Sequence, residues 1–168
     1  MYKATRDFIN ARQKHTDFKL VIPSKVTQIP VGAPNKCFSN AWKFAEQESA
    51  KGNKMRCLSG WLVQPYDVKT NSTAIIQHWW NGDLMGNQFD TTPNIDKNEE
   101  YVLDFALYDF CHLNFEKITT NVAMSLLYQN SKYQLLVNED EMEFVDIKEL
   151  KTEYLYLHEE FKPVLRPF

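Results

Sequence analysis

Residues 35–52 read NKCFSNAWKFAEQESAKG and set a cysteine at the opening of what the pattern predicts to be an amphipathic helix. Cys37, Phe38, Ala41, Trp42 and Ala45 recur at i, i+1, i+4, i+5 and i+8 and form one apolar stripe, while Lys43, Glu46, Gln47 and Glu48 fall largely off it. Asn35 is the predicted N-cap and Gly52 the predicted terminator. A thiol in the first turn lies against unpaired backbone N–H groups and the positive end of the helix dipole, which stabilise a thiolate. The same donors can hold an oxyanion beside the sulfur. The competing reading makes Cys37 a small apolar side chain on the buried stripe, because free cysteine is among the most buried residue types.

Working outward from this helix, residues 4–14 predict a short helix, and FKLVI (18–22) predicts a strand ending at Pro23. Residues 24–36, with Gly32, Pro30 and Pro34, form an irregular approach to the cysteine. Downstream, MRCLSGWLVQP (55–65) and STAIIQHWW (72–80) read as strands, and 88–92 and 101–110 continue the same antiparallel sheet. Residues 116–130 read as a helix with Ile118, Val122, Ala123 and Leu126 inward, and 146–161 as another. The expected class is α+β. The expected layout is one domain, with an N-terminal extension (1–34), a core (35–115) and a helical tail (116–168).

Composition narrows the function classes. The chain of 168 residues is 43% hydrophobic and 14% aromatic, which places it among globular proteins rather than disordered ones. Its net charge is −3 and no basic cluster is interleaved with aromatics, so nucleic acid is not expected as a partner. Apolar runs are too short to span a bilayer, and the first fifteen residues lack the apolar stretch of a signal peptide. Three cysteines without close spacing argue against a disulfide framework and fit a reducing cytoplasm.

A cysteine nucleophile needs a base, and the base needs an acceptor that fixes its tautomer. Residues 77–93, QHWWNGDLMGNQFDTTP, supply His78 and Asp90 on two strands joined by a polar loop. Register decides whether they meet. A two-residue turn at Asn81-Gly82 pairs Trp80 with Asp83 and turns Asp90 to the opposite face. A loop over 81–87 pairs Trp80 with Gln88 and sets His78 directly opposite Asp90, and this is the expected register. In the alternative, His78 is a structural histidine on an apolar strand face.

The succession CFSNAW, SGWLV, QHWWN, a glycine-bearing loop and FDTTP resembles the papain-like superfamily of cysteine peptidases and amidases, especially small bacterial and phage members. The resemblance covers residues 35–93. It implies a cysteine-bearing helix packed on an antiparallel sheet, with Cys37 as nucleophile, His78 as general base and acid, and Asp90 as the orienting group. It also implies a side-chain oxyanion donor upstream of the cysteine. Gln28 is the candidate there, and Asn40, one turn on, is a second candidate, whose competing reading is a brace that holds the helix against a loop. Trp79 and Trp80 are candidates to line a substrate cleft, whereas Trp42 and Trp61 are assigned to the core.

The expected substrate is a peptide, protein or small amide, with no cofactor. Two other outcomes stay open: transfer of the acyl group to an amine, as in transglutaminase-like enzymes, and a non-catalytic binding module on the same fold. A metal site is not expected, because Cys111 and His112, adjacent on the predicted strand, would face opposite sides. Phosphate-loop, dinucleotide and serine-hydrolase motifs are missing from the sequence.

Overall fold

The computed structural model describes residues 1–13, 19–113, 125–138 and 141–145. In chain order these form α1 (Lys3–Gln13), β1 (Leu20–Val21), β2 (Val26–Gln28), α2 (Cys37–Ala50), β3 (Met55–Val63) and β4 (Thr73–Asp83). There follow β5 (Gln88–Asp90), β6 (Glu100–Asp104), α3 (Phe105–Leu113), β7 (Ser125–Gln129), β8 (Lys132–Asn138) and β9 (Glu141–Val145). The strands make one sheet whose main path is β1-β6-β3-β4-β7-β8-β9, with β5 joining β4 and β2 joining β5. Only the β2–β5 pairing is parallel among the described residues. The fold is α+β.

β3 pairs over its whole length with β4, from Met55↔Asp83 to Val63↔Ile75. Side chains alternate along a strand, so odd-numbered residues of both face one way and even-numbered residues the other. The odd face carries the larger core: Trp61, Val63, Ile75 and Trp79 meet Phe8 of α1 and Phe38 and Ala41 of α2. Phe8 stands edge-on to Trp61 at 5.2 Å, and Phe38 edge-on to Trp79 at 5.6 Å. The even face carries a second cluster of Leu62, Trp80, Tyr101 and Leu103. Asn81 ties β4 to α2, its amide donating to the Ala41 carbonyl at 2.8 Å in a buried contact.

One edge of β4 is divided between two neighbours. β7 pairs with Thr73 to Ile76 and β5 with Asn81 and Gly82, so no strand among the described residues covers 77–80 on that edge. This window is where a helix lying on the odd face can bring a group to the even face.

Several expectations are corrected. The strand expected over 101–110 ends at Asp104, and residues 105–113, including Cys111 and His112, are helical rather than extended. Asp104 is the reason. Its Oδ1 accepts the Leu107 N–H at 3.2 Å, capping the first turn of α3. Of the helix expected over 116–130, residues 116–124 lie outside the described residues, and 125–129 form strand β7, where Leu126 and Tyr128 alternate inward. A two-residue turn at Asn130-Ser131, both left-handed (φ 50° and 62°), joins β7 to β8 with Gln129 paired to Lys132. The helical tail is likewise replaced by strands β8 and β9, while the helix expected over 146–161 lies outside the described residues. The described residues of the expected N-terminal extension are built into the domain: α1 contributes Phe8 to the core, β1 pairs with β6, and β2 pairs with β5. Among the described residues no helix is long and apolar enough to cross a membrane.

Asp104 also anchors α1. Its Oδ2 accepts from Arg12 Nε at 3.0 Å and Trp61 Nε1 at 2.8 Å, and the Arg12 and Asp104 side chains are almost wholly buried. Asp104→Asn removes the negative charge opposite a buried guanidinium and is expected to cost about 3–5 kcal/mol in urea unfolding. A loss below about 1 kcal/mol would contradict that role for the pair.

Candidate active site

The path that delivers Cys37 begins at β2. After the parallel pairing of β2 with β5, Ile29 N–H donates to the Asp90 carbonyl at 2.7 Å and Gly32 N–H to the Thr91 carbonyl at 2.9 Å. Asn40 then holds the loop to α2: its Oδ1 accepts the Ala33 N–H at 2.9 Å and its Nδ2 donates to the Ala33 carbonyl at 2.7 Å. Gly32 permits this, since a Cβ there would meet the Asn40 side chain at 2.3 Å. The Asn40 amide is thus spent on bracing the loop and is not directed at the thiol.

Asn35 is not the N-cap. It takes a left-handed backbone (φ 59°), and Lys36 occupies the cap position without a side-chain bond. Cys37 is the first residue of α2, where helical N–H groups have no intrahelical acceptor. At the other end, Gly52 follows the C-cap with φ 86°, as expected of a terminator.

The hairpin departs from both registers considered. Asn81 and Gly82 lie within β4, paired with Phe89 and Gln88, and the turn is made by residues 84–86. Asp83 Oδ1 accepts the N–H groups of Met85 and Asn87, and Gly86 supplies the left-handed residue at φ 87°. Continued by one residue, this register sets Asp90 level with Trp80 rather than His78. Asp90 still lies on the even face, and it reaches His78 along the diagonal.

His78 Nε2 donates to Asp90 Oδ2 at 2.6 Å. The imidazole is also hydrogen-bonded to the Cys37 side chain. Since Nε2 is engaged by Asp90, Nδ1 is the nitrogen that remains for the sulfur. The contact falls in the uncovered window of β4. All three side chains are buried, with residue exposures of 8%, 4% and 0% for Cys37, His78 and Asp90.

Two residues that sequence reasoning missed fix this arrangement. Tyr101 Oη donates to the same Asp90 Oδ2 at 2.6 Å, and the Thr92 N–H donates to Oδ1 at 2.8 Å. Gln28 donates to the Tyr101 hydroxyl at 2.7 Å, so it supports Tyr101 and is not an oxyanion donor. The tryptophans are corrected too. Trp79 is on the odd face in the core against Phe38, and Trp80 is fully buried with its ring stacked on His78 (6.2 Å, 17°) and its Nε1 donating to Gln88 at 2.6 Å. Neither lines the cleft. The signal available in the sequence was parity: Tyr101 and Leu103 alternate on one strand, as His78 and Trp80 do.

Charge follows geometry. Burial alone would lower the His78 pKa, but the Asp90 carboxylate and Cys37, by charge and hydrogen bond, outweigh it and push it up to about 10. Burial would raise Asp90, but the charge and hydrogen bond of His78 and the bonds from Tyr101 and Thr92 hold it below the ordinary value. Burial and the adjacent Asp90 push Tyr101 up, which keeps it a donor.

A cleft of about 140 Å³ opens beside the pair, lined by Asn35, Cys37 and His78 at one end and Gln64 and Glu99 among its other residues. Among the described residues no three His, Cys, Asp or Glu side chains converge to hold a metal ion. No protein-family model, curated protein or solved structure matches this chain.

A raised histidine pKa contributes stability that is fully present below the unfolded value of 6.5 and is lost as pH rises toward about 10. The stability difference between wild type and Asp90→Asn is therefore expected to shrink between those two pH values. Denaturant melts across that range measure it, and a constant difference would contradict the cationic pairing.

Proposed function

We propose that the protein is a cysteine-dependent amide-bond hydrolase of papain-like type, with Cys37 as nucleophile, His78 as general base and acid, and Asp90 as the orienting carboxylate. The observation that carries this reading is the His78 imidazole held by Asp90 at 2.6 Å on one nitrogen and hydrogen-bonded to Cys37, at the end of an open cleft. A merely structural histidine has no need of a thiol at a helix start and a cleft beside both.

His78 carries its proton at the outset, and the thiolate is the attacking form of a cysteine. The thiolate adds to the carbonyl carbon, and the C=O electron pair moves to oxygen. Backbone N–H groups of the first turn of α2 stabilise that oxyanion. As the C–N bond breaks, His78 gives its proton to the departing amine and a thioester remains. Neutral His78 then takes a proton from water while the water oxygen attacks the thioester. Collapse releases the carboxylic acid and restores the thiolate and imidazolium. Asp90 keeps Nε2–H donating toward itself, so Nδ1 handles the proton throughout, and Tyr101 and Thr92 keep Asp90 in place. Peptides, proteins and small amides are the substrate class.

Iodoacetamide tests the thiol without a known substrate. At about pH 5.5, where an isolated thiol is protonated, Cys37 is expected to label in preference to Cys57, and His78→Ala is expected to slow it about 100-fold or more. Equal, slow labelling of both cysteines would remove the nucleophile assignment. Cys37→Ser should melt close to wild type. A loss of about 1–3 kcal/mol would point to a packing role instead.

A further inference from the structure

The cleft follows the even face of the sheet, and the strand register gives it a scale. His78 is paired with Gly60, which in turn is paired with Leu103; the next rung along is Ile76, Leu62 and Tyr101. One rung further, Gln64 N–H bonds the Ala74 carbonyl, and Gln64 Nε2 donates to Glu99 Oε1 at 3.1 Å. Successive rungs are about 7 Å apart, so the cleft runs from the Cys37–His78 pair over one apolar rung to a polar rung about 14 Å away. Ile95 adds to the apolar wall.

The polar end has an unpartnered acceptor. Glu99 Oε2 is buried with no hydrogen-bond partner, and no lysine or arginine lines the cleft. Burial pushes the Glu99 pKa up, with the acidic neighbours Asp96 and Asp90 adding to it, against the Gln64 hydrogen bond and the charge of His78. A buried carboxylate oxygen without a donor is costly, and a bound cation bearing N–H groups offsets that cost. A chain with an apolar stem and a cationic head matches the order of the lining: thiol, apolar rung, carboxylate. The four-carbon stem of lysine has that form.

We propose that Glu99, with Gln64 beside it, is the specificity determinant of the cleft and selects substrates carrying a basic side chain on the acyl side of the bond cleaved. The inference rests on the proposed role of Cys37. The amine or guanidinium head displaces no existing ion pair and supplies donors to Glu99, while the stem lies between Leu62, Ile76 and Ile95. Gln64 holds the carboxylate in place from the side.

The test compares two affinity reagents that differ only in the charged head: the chloromethyl ketones of N-acetyl-lysine and N-acetyl-norleucine. In each, the Cys37 sulfur displaces chloride. Wild type is expected to be alkylated at Cys37 at least about tenfold faster by the lysyl reagent, about 1.4 kcal/mol of discrimination. Glu99→Gln is expected to bring the ratio near one once each rate is divided by that variant's own iodoacetamide rate. Equal rates for the two reagents in wild type would overturn the assignment without recourse to any variant. So would a ratio that survives Glu99→Gln in protein that melts like wild type. Failure of Cys37 to react even with iodoacetamide would instead overturn the proposed hydrolase, and this inference with it.

Discussion

A carboxylate with no exposure to solvent, Asp90, joins three parts of the chain. It accepts from His78 on β4, from Tyr101 on β6 and from the Thr92 backbone just beyond β5. An ionised group buried so completely is tolerated only when its oxygens are filled and a positive charge is near. That requirement fixes the imidazole, which supplies the charge, and Tyr101, which supplies the second donor to the same oxygen. The strand that carries Asp90 also pairs in parallel with β2. That short ladder, with Ile29 donating to the Asp90 carbonyl, carries the chain from the Asp90 strand directly toward Cys37.

The meeting of thiol and imidazole depends on an interruption in the sheet. α2 packs on the odd face of β4 through Phe38 and Ala41, yet His78 belongs to the even face. In a continuous sheet the two would be separated by a layer of backbone. β5 and β7 divide the edge of β4 and leave 77–80 uncovered between them, so the first residue of α2 reaches around to the imidazole. The asparagine clamps hold the helix in that position. Asn81 binds the Ala41 carbonyl, and Asn40 binds both backbone groups of Ala33. Gly60, opposite His78, belongs to the same design: a Cβ there would lie 2.1 Å from the Val102 carbonyl and 2.8 Å from the Trp80 ring that stacks on the imidazole.

The sequence was informative where one period dominates and misleading where two compete. The cysteine helix and the long strands around Trp61 and His78 have strong patterns and lie where periodicity puts them. The turn signal at Asn81-Gly82 did not make a turn, because Asn81 has a buried clamp to make and Asp83 can organise a tight turn three residues later. The real two-residue turn, Asn130-Ser131, falls at the end of the segment whose spacing predicted a helix over 116–130. The Cys37, His78 and Asp90 grouping survived a register error of two residues, since a shift of two preserves the face of a strand whereas a shift of one reverses it. The roles of Tyr101 and Glu99 depend on β6 lying beside β3, and that of Gln28 on β2 lying beside β5.

The central claim is that His78 is an imidazolium held between Asp90 and Cys37. Nitrogen NMR of protein labelled in the histidine ring observes this directly. At pH 8 both ring nitrogens of His78 are expected to carry protons, with the ring losing one only near pH 10. A His78 ring with one bare nitrogen at pH 8, titrating near the ordinary value of 6.5, would contradict the account.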